Sequence, residues 1–159
     1  MLFVIASFGW RIDMLTFADR DGKVLFSAPS PFGGHFITTY VHSVELTLVE
    51  DEYILLDGKI WVWQERVKSS NAGIPCLPPE HGRFIQTKEW LIFQGGRKSW
   101  EKYYLRVGNE KFGRNELILS PYGRADLFKT FPGIRLTVSA EEKPLLYASK
   151  YENIKSLFP

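Results

Sequence analysis

Residues 40–53, YVHSVELTLVEDEY, hold one histidine, one serine, four carboxylates and two tyrosines within fourteen positions. Three chemistries could use such a set. Ser43 and His42 could form a nucleophile–base pair, or His42 could work with a carboxylate as an acid or base. Histidine and carboxylates could also hold a metal ion. Finally, the same groups could line a site that binds a ligand without changing it.

Alternation along a strand tests the first idea. The run 36–49 reads as one long strand, in which successive side chains point to opposite faces. One face then takes Phe36, Thr38, Tyr40, His42, Val44, Leu46 and Leu48, nearly all apolar, with His42 in the middle. The other takes Ile37, Thr39, Val41, Ser43, Glu45, Thr47 and Val49. His42 and Ser43 therefore diverge, as do His42 and Glu45, and only a bulge would re-aim them. On this reading His42 is a largely buried imidazole bonded to backbone or a carboxylate, and Glu45 is a solvated or cross-strand charge. Glu50, Asp51 and Glu52 read as solvated.

The histidines are His35, His42 and His81, and a metal site would need His42, His81 and a carboxylate such as Glu80 or Glu50. No compact ligand spacing supports one, so no metal or other cofactor is assigned, and no catalytic residue is named.

These residues must be positioned by β-structure. Apolar runs flank Asp21-Gly22 and Asp57-Gly58, and an Asp-Gly pair so placed signals a hairpin because Gly accepts the positive φ of a type I′ turn. With a two-residue turn at 57–58, Leu56 faces Lys59, Leu55 faces Ile60, Ile54 faces Trp61, Tyr53 faces Val62 and Glu52 faces Trp63. Both faces of that hairpin are largely apolar, so each is covered by protein or one lines a cavity or interface. Trp61 and Trp63 mark that surface. A third hairpin is expected between RFIQTKEWLIF and SWEKYYLRV, with QGGRK as its turn. NELILS, GIRLTVS and PLLYAS add strands, and SKYENIKSLFP alone has helical spacing. About ten short strands predict an all-β domain over 1–159, an antiparallel sandwich or small barrel with a short C-terminal helix. One connection, KSSNAGIPCLPPEHGR at 68–83, is long for a loop and reads as an ordered crossover clamped by Pro75, Pro78 and Pro79.

Composition narrows the function classes. The chain has 159 residues, enough for one core, and a net charge of +2. That near-neutral balance argues against nucleic acid, although GGRKSWEKYYLR interleaves basic and aromatic side chains in a way that could stack bases. The single Cys76 excludes an internal disulfide. The apolar start MLFVIASF is too short to span a membrane and lacks the basic lead-in of a secretory signal. The chain reads as soluble, with the compartment and the oligomeric state unspecified.

The chain resembles a bacterial and archaeal family of unknown function whose genes accompany TRAP-type solute transporters of the TAXI class. The resemblance rests on YVHSVELTLVEDEY, on the hairpin that follows it and on NAGIP at 71–75, with LTFADRDGKVLFSAP similar to the family's opening. Leu48 stands where proline is common in that family. The resemblance implies a transport context more than a mechanism, and the leading reading is a non-enzymatic accessory to solute transport, partnered by a transporter component or a small-molecule solute. Its expected site joins His42, Ser43, Glu45 and Glu50 to Asn71, Gly73 and His81, flanked by Trp61 and Trp63. An enzyme using His42 with a carboxylate, and a weak single-strand nucleic-acid binder, are the alternatives.

Overall fold

The computed structural model describes residues 10–30, 33–69, 77–145 and 157–158. Twelve strands follow in chain order: β1 (Arg11–Ala18), β2 (Val24–Ser30), β3 (His35–Val41), β4 (Leu48–Leu56), β5 (Lys59–Val67), β6 (Gly82–Gln86), β7 (Leu91–Gly95), β8 (Ser99–Trp100), β9 (Lys102–Arg106), β10 (Gly113–Leu119), β11 (Gly123–Asp126) and β12 (Arg135–Pro144). A single turn of helix, α1 (Leu127–Thr130), lies between the last two. The smaller sheet runs β2–β1–β12–β9, and the larger runs β11–β10–β3–β4–β5–β7–β6 with β8 also paired to β5. The two form the expected antiparallel sandwich, without barrel closure.

The core is the apolar face of each sheet. Leu15, Phe17, Phe26, Ala28, Leu136 and Val138 of the smaller sheet meet Phe36, Tyr53, Leu55, Ile60, Leu117 and Leu119 of the larger. Each such side chain contributes roughly 1.5–3 kcal/mol over its exposed state. Phe158 joins them, its ring 5.6 Å from that of Phe26. The rest of the expected C-terminal helix lies outside the described residues. A separate apolar cluster, Val49, Val67 and Phe93 with Tyr40 and Leu91, sits further along the larger sheet.

The Asp57-Gly58 turn forms as anticipated. Both residues have positive φ, 54° and 67°, and Leu56 pairs with Lys59. The register holds through Tyr53 and Val62, then shifts at a bulge. Glu52 faces Gln64, not Trp63, because Trp63 is the extra residue.

Two further expectations are overturned. The run 36–49 is not one strand: β3 ends at Val41, and β4 starts at Leu48 and pairs antiparallel with it. Residues 42–47 form the connecting turn, closed by His42 N–H donating to Thr47 O (2.9 Å) and Leu46 N–H donating to His42 O (2.9 Å). Val44 and Leu46, expected in the core, are 68% and 76% exposed. Nor does QGGRK close a hairpin. RFIQTKEWLIF folds back on itself as β6 and β7, with Thr87 Oγ1 accepting the Trp90 N–H (2.9 Å) in the turn. Gly95, Gly96 and Arg97 all have positive φ, and this left-handed segment carries the chain to β8 on β5 and then β9 on β12, from one sheet to the other.

Candidate functional site

The sequence-derived residues scatter over the molecule. His42 and Ser43 border a shallow hollow beside Arg106–Asn109 and Phe112–Gly113. The His42 imidazole is not deeply buried. Its Nδ1 accepts the N–H groups of Val44 (3.3 Å) and Glu45 (3.2 Å), so the ring pins the 42–47 turn. Glu45 accepts a hydrogen bond from Ser69 Oγ (2.9 Å). Trp61 donates from Nε1 to Leu56 O (3.3 Å), near the 57–58 turn. Trp63 is exposed at the bulge, and His81 is exposed beside Glu80 at the start of β6. Asn71 and Gly73 lie outside the described residues. Among the described residues no three His, Cys, Asp or Glu side chains gather as a metal site would require.

Glu50 and Glu52 are not solvated, contrary to expectation. They share the outer face of β4 and are bridged by Arg66 of β5, whose Nη1 lies 3.0 Å from Glu50 and whose Nη2 donates to Glu52. Glu52 is buried and also bonds His35 Nδ1 (2.9 Å) and Gln64 Nε2 (2.7 Å). Gln94 donates to Gln64 (2.9 Å) and accepts from Arg83 Nε (2.7 Å). The polar ladder therefore crosses β3, β4, β5, β7 and β6. Burial pushes the Glu52 carboxyl up, but the bonds from His35 and Gln64 and the Arg66 charge overcome it and hold the group below its ordinary range.

The inner face carries a different pair. The bulge at Trp63 sets Asp51 of β4 directly opposite Glu65 of β5. Along β4 the inward row is Val49, Asp51, Tyr53, Leu55, and along β5 it is Val67, Glu65, Val62, Ile60. Two carboxylates thus stand between the main core and the satellite cluster. Among the described residues neither makes an ion pair or a hydrogen bond. Burial, and then the Glu65 charge, push Asp51 up to about 7, and burial raises Glu65 as well. Tyr40, raised to about 12, feels first its own burial and then both acids.

This pair floors a cleft of about 570 Å³. Tyr53, Phe93 and Trp100 supply aromatic walls, Leu77 and Pro79 form a rim, and Lys98 and Glu80 stand among the lining groups. The rim is fitted closely to the left-handed strap, since a Cβ on Gly96 would lie 2.9 Å from Pro79 Cβ. An apolar concavity with a few polar groups converging on its floor is the usual form of a small-molecule site.

Sequence reasoning missed Asp51 and Glu65 because an unbulged register pairs Glu65 with Glu50. The four consecutive apolar residues Ile60–Trp63 hide the shift in the sequence, and only burial exposes it. The buried apolar positions of β5 are even-numbered at Ile60 and odd-numbered at Val67, while those of β4 stay odd, at Val49, Tyr53 and Leu55. A parity switch in one partner alone requires an inserted residue. The basic-aromatic run at 97–106 is likewise redistributed. Trp100 and Tyr103 pack on the core, and Arg135 covers Tyr104 at 3.9 Å from its ring.

Comparison with family models matches residues 36–122, more than half of the chain, to a domain of unknown function, DUF1850. Every residue lining the cleft falls within that span. No curated protein and no solved structure matches the chain.

Proposed function

This chain belongs to the DUF1850 family, and we propose that it is a non-enzymatic β-domain that binds a small molecule in the cleft floored by Asp51 and Glu65, as an accessory to solute transport. One observation carries the binding reading: two carboxylates with no partner among the described residues face each other at the base of an open, aromatic-walled cleft. Folding left to itself disfavours like charges directly opposed across a ladder. A bound molecule that meets them offsets that cost. The transport role rests on the resemblance of YVHSVELTLVEDEY and its hairpin to a family whose genes accompany TAXI-class transporters. A transporter component is the partner this role implies.

Acid–base catalysis is the second reading, favoured by Asp51, whose carboxyl near 7 is poised to exchange a proton at neutral pH. It replaces His42 as the acid–base candidate, since His42 Nδ1 is engaged by two backbone N–H groups.

A thermal-shift screen of amines, organic acids and amino acids tests the binding reading, because a ligand of the folded state raises Tm by mass action. The expected result is a hit that is lost in a folded Trp100→Ala variant and kept in His42→Ala. A hit lost only in His42→Ala would move the site to the hollow beside Ser43. No hit in any class would contradict the reading. Where a TAXI-class transporter gene lies beside this one, loss of its uptake on deletion of this gene is the outcome expected of an accessory.

A further inference from the structure

We propose that the cleft is selective for organic ammonium ions with an apolar body, a ligand class that deepens, and rests on, the small-molecule reading above. Three features of the site converge on that chemistry. Asp51 and Glu65 present adjacent acceptors with no cation paired to them among the described residues. An ammonium donates up to three hydrogen bonds and so can satisfy both. The flanking walls are Tyr53, Phe93 and Trp100, whose ring faces attract cations and whose area receives an apolar body.

The third feature is already occupied chemistry. Lys98 holds its own ammonium 5.1 Å from the centre of the Trp100 ring, yet forms no ion pair with either acid. The wall therefore accepts an alkylammonium, while the acids stay open. Lys98 and Glu80 are the other charged lining groups, and Tyr40 and Tyr103 lie within electrostatic reach of Asp51. Lys98 competes with an incoming cation. If the ligand were a carboxylate, Lys98 would instead be its anchor, so this residue separates the two classes.

Isothermal titration of the full chain at about pH 8, above the value near 7 to which Asp51 is raised, tests this with 2-phenylethylamine, 2-phenylethanol and 3-phenylpropionate. The amine is expected to bind best. Its affinity should fall about tenfold in Asp51→Asn and in Glu65→Gln, and hold or rise in Lys98→Met. Asp51→Asn keeps the shape of the side chain and removes an unfavourable charge, so a folded variant is assured a fair test. Binding of 3-phenylpropionate instead, lost in Lys98→Met, would overturn the ligand class while leaving the cleft a binding site. Equal binding of amine and alcohol would overturn it too. Binding of none of the three, with a hit from another class in the thermal screen, would overturn the ammonium selectivity alone. Silence in both experiments would remove the site itself.

Discussion

Single residues here are defined by which face of the larger sheet they occupy. Asp51 and Glu52 are neighbours with opposite fates. Glu52 meets Arg66, Gln64 and His35 and is held ionised, whereas Asp51 is opposed by Glu65 and has no hydrogen-bond or ion-pair partner among the described residues. Linkage gives the two opposite pH signatures. Asp51 has a folded-state pKa of about 7 against an ordinary 3.8, so its contribution to stability is full below 3.8 and is lost as pH rises through 7. Asp51→Asn should therefore stabilise the protein by roughly 1–3 kcal/mol at about pH 8, with the margin shrinking as pH falls from about 7 to about 4. Urea melts of both proteins across that range measure it. Glu52, held low, contributes above its unfolded pKa and loses that contribution on acidification. Glu52→Ala leaves the Arg66 guanidinium and the Gln64 amide without their shared acceptor and should cost about 2–3 kcal/mol at neutral pH by the same melts.

At the scale of elements, the strands were largely legible and their breaks were not. Asp57-Gly58 announced its turn because no other arrangement puts two positive-φ residues between apolar runs so economically. Gly58→Ala should cost about 1 kcal/mol from φ alone, since Glu142 lies no nearer than 3.5 Å to the new methyl. HSVELT carried no such mark. Its turn depends on Leu46 at φ 53° and on the imidazole of His42 accepting two backbone N–H groups, and neither residue type signals a turn. An apolar alternation that continues into exposed Val44 and Leu46 imitates a strand. His42→Ala should cost no more than about 1 kcal/mol in chemical denaturation and leave amine binding at the cleft unchanged, because its bonds are local and partly solvated. The bulge at Trp63 hid the site for a related reason. A one-residue insertion exchanges inside for outside, and it delivered Glu65 to the inner face.

Across the whole molecule, the sandwich is unequal. Eight strands of the larger sheet cannot all be covered by four, at about 4.8 Å per strand. The main core fills the covered part, and the β5–β7–β6 wing relies on the smaller cluster of Val49, Val67 and Phe93. The cleft lies where the two clusters part, floored by the acids that interrupt them. Amide hydrogen exchange should accordingly be faster in β6 and β7 than in β1 and β12, and a ligand in the cleft should slow the wing most. The measurement that reaches the central claim most directly is a residue-resolved NMR map of the strongest hit from the thermal-shift screen, titrated into isotopically labelled protein. The account predicts that shifts concentrate at Asp51, Tyr53, Val62, Glu65, Phe93 and Trp100. Shifts confined to His42, Ser43 and the Arg106–Gly113 loop would contradict it.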